Sequence, residues 1–423
     1  MSRIDQNLSD VLDTSEKPSI FKVHGPLRSE NEEAYEPQVV SIGPYHHGKP
    51  KLKEMEKHKL RYFKEILRRR GESSAEKYII ALANLQDQAR RCYAEEINLS
   101  EDDFVDMLCL DGCFVIEFLR KNQQPESCLE NDHIFEMLWL PSTIAHDLVL
   151  FENQLPFFVL QKLFDMTKSP SGEENLIDLA IDLRLLWYFP DPGLNSHSTI
   201  LEQYEEVHLL GLMHKILSAS FSGTLSSTMN SNRGDSTLYI KSAGELGQSG
   251  IKFKKAEDSK SLFHITFENG VLKIPPLVVH DNTESFFRNL IAYEQYMSNP
   301  AEAWKCITGY MIFLDCLIDS PSDVERLRRH DIIENGLGSD EALSTMFNKL
   351  SKQVNSGGRF CYAKIFDDVD KYSRKRWHIW RAHLVRKYFN TPWSFIAFLA
   401  ACALLLLATV QAIFSILQYT KQK

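Results

Sequence analysis

"EDDFVDMLCLDGCFVIEFLRK", Glu101 to Lys121, decides how this chain folds. Ser100 and Asp103 form an S-x-x-D capping box ahead of it. The segment is apolar on nearly every face, so it is expected to be a central helix buried by others. Two carboxylates interrupt it. Asp111 and Glu117 lie six residues apart on different faces and form no paired-carboxylate engine. Glu117 can reach Lys121 at i+4. Asp111 beside Gly112 predicts a close helix crossing with a buried acceptor.

Helical patterns spread outward from this segment. Upstream, "KLKEMEKHKLRYFKEILRRR" reads as an amphipathic helix with Met55, Leu60, Phe63 and Leu67 inside. "AEKYIIALANLQDQARRCYAEEI" supplies a second helix, and residues 1–36 are polar and expected to be disordered. Downstream, "DHIFEMLWLPSTIAHDLVLFENQLPFFVLQKLF" gives two helices, with Pro156 breaking the run and starting the second. Glu152, Asn153 and Gln154 form a polar knot expected to satisfy helix-end backbone groups. Further helical patterns cover 173–189 and 200–219. Residues 218–236 read as a flexible Ser/Thr/Gly linker, and the Arg233-Gly-Asp235 triplet inside it as coincidence.

The β signal lies at 262–279. Phe263, Ile265 and Phe267 alternate, and Asn269-Gly270 is a hairpin turn signal. Residues 250–256 would add a third strand. Helices resume at "TESFFRNLIAYEQYM", at 301–319, at "SDVERLRRHD" with Ser322 and Glu325 as a capping box, and at "SDEALSTMFNKLSKQV", where Ser339 reads as an N-cap. The fold class is therefore mainly α: a multi-helix globular body with one small antiparallel β-hairpin or sheet, plus a C-terminal transmembrane helix. An N-terminal helical lobe spans 37–217 and a C-terminal lobe with the hairpin spans 237–370.

The 423 residues carry a net charge of -9. From Lys371 onward there are nine Lys or Arg and no Asp or Glu, so residues 1–370 carry -18. An acidic body argues against nucleic-acid binding. The basic end suits anionic lipid instead. The eight cysteines show no CxxC and no dense framework. Cys109 and Cys113, four apart on a helix, are the strongest pairing on offer; buried free thiols in a reducing compartment are the expectation. The N-terminus has no secretory h-region.

Trp393 to Leu417, "WSFIAFLAACALLLLATVQAIFSIL", holds no charged residue. At ~1.5 Å per residue it outreaches a hydrocarbon core of ~30 Å. A transmembrane helix over 392–419 would present Trp393, Phe395, Ile396, Phe398, Leu399, Leu404, Leu405, Leu406, Leu407, Val410, Ile413, Phe414, Ile416 and Leu417 to lipid. Ala397, Ala400, Ala401 and Ala403 would permit close helix packing and a homo-oligomer. Lys371, Arg374, Lys375, Arg376, Arg381, Arg386 and Lys387 precede the span, and only Lys421 and Lys423 follow it. The positive-inside rule then expects a tail-anchored, single-pass protein with a cytosolic body. Of the cellular membranes, the plasma membrane is the expected one. Residues 371–390 read as a basic-aromatic juxtamembrane helix, with Trp377, Trp380, Leu384 and Tyr388 on one face.

No phosphate-binding glycine loop, dinucleotide fingerprint, H-E-x-x-H, nucleophile elbow or kinase set is present. "SIGPYHHGKP", Ser41 to Pro50, is the most tempting motif. Adjacent histidines diverge and rarely chelate one metal together. Gly43 and Pro44 are expected to shape a turn, Tyr45 to pack, and His46 and His47 to hydrogen-bond loop backbone. No metal, cofactor or catalytic group is assigned.

"VVSIGPYHHGKPKLKEMEKHK", "FVDMLCLDGCFVIEFL", "DLVLFENQLPFFVLQKL", "AGELGQSGIKFKKA" and "NLIAYEQY" occur in order ahead of the apolar C-terminal segment. In these motifs the chain, from about Val39 to Tyr419, resembles the plant family called domain of unknown function 247. The resemblance implies a membrane-associated, mostly helical land-plant protein, with Gly43, Pro44, Tyr45, His46, Asp111, Gly112, Glu152, Asn153, Gln154 and Pro156 in structural motif positions. It implies no reaction. Some grass relatives look like pollen-side determinants of self-incompatibility, which favours recognition as a role. The expected function is a membrane-anchored, non-enzymatic body that binds unknown protein partners, with anionic lipid at its juxtamembrane helix. Two rivals are a membrane-tethered enzyme with a site near His46, Asp111 and Glu152, and a peptide-recognising ectodomain if the topology is inverted.

Overall fold

The computed structural model describes residues 18–123, 132–168, 174–181, 183, 208–219, 221, 239–257, 261–297, 305–355, 360–375 and 392–421. Its central element is α3 (Glu101–Gln123), with α1 (Lys53–Arg70), α2 (Glu76–Ala83) and, after α4 (Leu140–Asp147), α5 (Phe157–Thr167) packed around it. Ser100 caps α3 by accepting the Asp103 amide at 3.1 Å. The run from Phe104 to Leu119 is almost wholly buried. At Gly112 the helix meets α5 so closely that a Cβ would stand 2.4 Å from Leu163 Cδ1. The crossing expected beside Asp111 is therefore real.

The inward face of α1 differs from the expected one. Met55, Lys59, Tyr62, Phe63 and Ile66 are buried, while Leu60 is 55% exposed. A buried lysine on the apolar face shifts the stripe. Gly71 ends α1 with φ +68; its amide reaches Arg68 O, and the Glu72 amide reaches Leu67 O. That is a left-handed C-terminal cap, open to glycine at no steric cost.

The N-terminal boundary needs correction. Residues 18–36 are ordered rather than disordered: Ile20 bridges to Tyr93, Gly25–Arg28 and Glu32–Tyr35 form short helical turns, and Ile20 and Tyr35 are fully buried. Residues 1–17 lie outside the described residues.

The C-terminal half comprises α6 (Leu209–Ala219), α7 (Thr283–Gln295), α8 (Cys306–Leu317), α9 (Pro321–Arg328), α10 (Asp340–Leu350) and α11 (Ala363–Ser373). Helix α7 packs against α6, α8, α10 and the Glu32–Tyr35 turn. One hydrophobic core runs from Ile20 to Val369 across both expected lobes. Of the expected linker, Phe221 is buried and stacks on Phe263 at 4.3 Å; residues 222–236 lie outside the described residues. The capping box ahead of α9 is Ser320 with Asp323, not Ser322 with Glu325.

The β structure is mixed rather than a simple antiparallel hairpin. Strands β2 (Thr266–Glu268) and β3 (Val271–Ile274) pair antiparallel about Asn269 and Gly270, at φ +51 and +78. Two left-handed residues give the turn whose twist suits a hairpin. Strand β1 (Lys252–Lys255) joins β3 in parallel, giving the order β1-β3-β2. β4 (Leu277–Val279) leaves this sheet and pairs in parallel with β5 (Ile333–Asn335), a strand the sequence did not announce. The chain ends in α12 (Pro392–Lys421), a 30-residue helix. Its stretch Ile396–Phe414 is long and apolar enough to cross a membrane, and none of it is buried against the body. Arg376, Arg381, Arg386 and Lys387, with the rest of 376–391, lie outside the described residues.

Candidate functional site

The loop from Gln38 to Gly48 is threaded between helices and held by side chains that take its backbone one group at a time. Asp147, the last residue of α4, accepts the amides of Gln38 (2.9 Å), Val39 (2.8 Å) and Val40 (3.0 Å). Asn153 accepts the Ile42 amide at 2.7 Å and donates to Val40 O and Asp147 O. Asp111 accepts the Gly43 amide at 2.8 Å. Lys59 donates to Ser41 O at 2.7 Å, to Asp111 at 2.6 Å and to Glu56 at 2.6 Å. Gly43 has φ +76, and a Cβ there would stand 2.5 Å from Gln154 O. Both the conformation and the space call for glycine.

Glu152 ties down the preceding segment. It accepts the Val23 amide at 2.8 Å and Arg28 Nη1 at 2.6 Å, and Arg28 also pairs with Glu36. Gln154 donates to Leu148 O and Leu150 O and accepts the Leu210 amide at 3.1 Å. The expected role of the polar knot holds for Gln154, which caps the end of α4. Glu152 and Asn153 do more: they anchor the N-terminal segment, far away in sequence. Pro156 stands at the N-cap of α5, as expected. Tyr45 packs edge-on against Tyr93, its hydroxyl set against Ile20 O at 3.1 Å and the Glu95 carboxylate. Burial, then that carboxylate, raises its pKa.

His46 is buried, but its imidazole holds no loop backbone, contrary to expectation. Neither ring nitrogen has a hydrogen-bond partner; Glu36 Oε2 and Glu152 Oε2 each lie 3.7 Å away, beyond hydrogen-bond length. Burial, then the charge of Lys49, pushes its pKa down to about 3, so the ring is neutral. The backbone amides it was expected to serve go to Asn153 and Asp111. Among the described residues, no three His, Cys, Asp or Glu side chains are placed to hold a metal ion.

The charges of the seam balance locally. Burial works against Lys59, yet the Asp111 and Glu56 carboxylates outweigh it and raise its pKa. Burial raises Glu152, opposed by the Val23 amide and Arg28. Glu117 pairs with Arg69 at 2.6 and 2.8 Å rather than with Lys121, which instead reaches Glu65 and Asp132. A partner on another helix outcompetes the i+4 neighbour.

Sequence reading missed Lys59, His146, Ser285, Asn289 and Glu294. His146 Nε2 lies 2.9 Å from Ser285 Oγ, and His146 Nδ1 lies 3.3 Å from Asp147. The order of groups is that of a hydrolase triad. However, Ser285 donates its proton to Ala34 O at 2.6 Å, whereas a nucleophile must give it to the base. Asn289 also donates to Ala34 O and accepts the Phe151 amide. Glu294, fully buried, accepts the first amides of α8 (Ile307 at 3.0 Å, Thr308 at 2.7 Å) and pairs with His214. These groups hold backbone. The signal available was a polar residue on an otherwise apolar helix face, as in "NLIAYEQY".

The chain is 31% identical to the UPF0481 protein At3g47200 of Arabidopsis thaliana, covering 98% of this chain and 90% of that one. It is 25% identical to the putative UPF0481 protein At3g02645 of the same plant, covering 93% and 89%. No solved structure matches it. Residues 20–407 match a family described as a plant protein of unknown function, and that stretch begins at the buried Ile20. The chain belongs to this plant family, domain of unknown function 247.

Proposed function

We propose that this chain is a single-pass, membrane-anchored protein whose helical body acts by binding other proteins rather than by catalysing a reaction. The observation that carries the reading is α12. Leu404 to Leu407 are each about two thirds exposed, within nineteen residues free of Asp, Glu, Lys and Arg. An apolar surface of that size is unstable in water and matches a bilayer in length. Basic residues crowd the side of the helix nearer the body, which favours a cytosolic body, and the anionic inner leaflet of the plasma membrane suits them.

Binding is the reading for the body because Asp111, Asp147, Glu152 and Asn153 are occupied in holding backbone. Met137, Leu138 and Trp139 stand exposed in sequence on its surface, and tryptophan is the kind of side chain that anchors protein interfaces. Protease protection in sealed right-side-out plasma-membrane vesicles tests the topology. Protection of the body until detergent is added is expected. Cleavage in intact vesicles would overturn the cytosolic placement and favour an ectodomain.

A further inference from the structure

Two cysteines far apart in sequence meet in the core. Cys306 opens α8, and Cys361 lies 55 positions further on, just ahead of α11. Both are buried free thiols, and their sulfurs stand 3.0 Å apart. Apolar carbons pack at ~3.5–4.0 Å, and sulfur is the larger atom. The sulfurs are thus closer than packing alone would bring them. A disulfide at ~2.05 Å needs them to approach by only about 1 Å.

The backbone around each cysteine is held. Glu294 takes the Ile307 and Thr308 amides just after Cys306, and Lys305 just before it donates to Asn355 O at 3.1 Å. Tyr362, beside Cys361, is buried and donates to Phe263 O at 2.9 Å. Phe360, on the other side, packs edge-on against Phe366 at 4.8 Å. One turn into α8, a Cβ on Gly309 would stand 3.9 Å from Cys361 Cβ. The fold therefore delivers the two sulfurs to each other and leaves the closing movement to the side chains. Cys109 and Cys113, the pairing that spacing along the chain favours, are the contrast. One turn apart on a helix, Cβ atoms lie ~5–6 Å from each other. A disulfide spans only ~3.5–4.5 Å between them.

We propose that Cys306 and Cys361 are a disulfide-forming site, oxidised by a low-molecular-weight disulfide such as glutathione disulfide, and that the bond staples α8 to the start of α11. One thiolate attacks glutathione disulfide, forms a mixed disulfide and expels one glutathione. The second thiolate then displaces the other. The two thiol protons and two electrons pass to one glutathione disulfide, which becomes two glutathiones. The hydrogen bond from Cys361, then burial, raises the Cys306 pKa, so exchange follows opening of the site. The loop so closed contains α9, β5 and α10. Closing it constrains the unfolded chain and lowers the unfolding constant on the order of a hundred- to a thousandfold. Neither step depends on the membrane reading above.

The test incubates the purified full chain, in nonionic detergent, with glutathione disulfide. One sample is in buffer; the other is at the urea midpoint, where buried thiols open and reclose. Iodoacetamide then blocks the remaining thiols, and mass spectrometry of the unreduced digest maps the bonds. A Cys306–Cys361 linkage is expected in preference to Cys109–Cys113. The linked chain should unfold at higher urea until dithiothreitol is added, and Cys306→Ala and Cys361→Ala should gain nothing from glutathione disulfide. The mapping uses the wild-type chain, so it decides even where an alanine variant fails to fold. Free or glutathione-capped Cys306 and Cys361 in both samples would overturn the proposal, as would bonds to other cysteines in place of this one. A Cys306–Cys361 bond that leaves the urea midpoint unchanged would overturn the staple.

Discussion

Lys59 Nζ lies 2.6 Å from Asp111 Oδ1 with both side chains buried, and each also holds one backbone group of the same loop. The ion pair is thus a clamp on Ser41 O and Gly43 N. Lys59→Met should cost about 3–5 kcal/mol, because it leaves a buried carboxylate without its counter-charge. Many buried pairs can be replaced together by apolar residues at little cost. Here the double variant Lys59→Met, Asp111→Leu should stay about 1–3 kcal/mol below wild type, since the two loop groups lose their partners. Urea unfolding measures both. Full recovery in the double variant would mean that the pair satisfies only itself.

Stability should fall in acid through His46. Unfolded, the imidazole titrates near 6.5; folded, it is held down to about 3 by burial and then by Lys49. Above 6.5 it is neutral in both states and contributes nothing. Below 6.5 the unfolded state binds the proton first, so the folded state loses up to about 1.4 kcal/mol per pH unit until about pH 3. His46→Gln should therefore gain about 2 kcal/mol on wild type between pH 6.5 and 5. His208, held down to about 4 by burial, adds the same sign to both proteins and cancels in the difference. Parallel pH profiles in denaturant titrations would count against a neutral His46.

The α3–α5 crossing allows a direct test of packing. In an open helix, Gly112→Ala would stabilise by about 1 kcal/mol. Against Leu163 Cδ1 it should instead cost about 1–3 kcal/mol. Leu163→Ala alone should cost about 2–5 kcal/mol by opening a cavity. Combined, the two should cost less than their sum, because each change relieves the other. Strict additivity would place the two residues apart.

Deleting residues 392–423 should release the body from membranes at high salt. At low salt the remaining basic residues from Lys371 to Lys387 would hold part of it, at about 1 kcal/mol per charge near anionic lipid. Sedimentation of the truncated chain in both conditions separates the two contributions. A truncated chain that still pellets after a high-salt wash would show a further anchor in the body.

What the sequence determined by itself was local and periodic. The apolar run of α3, the Ser100 cap, the Asn269-Gly270 turn and the uncharged stretch from Trp393 to Leu417 each announce themselves within one element, because their signals depend on neighbours at short spacing. Tertiary structure decided where the charges went. Lys59 reads as a solvent residue until Asp111, 52 positions away, turns it inward. Glu117 chose Arg69 over Lys121, and β1 chose a parallel partner, for the same reason. Residues 18–36 read as polar and loose because the groups that order them, Glu152, Tyr93, Ser285 and Asn289, lie 73 to 255 residues further on. A buried polar group is stable only with its partner beside it, and folding, not spacing along the chain, brings the partner there.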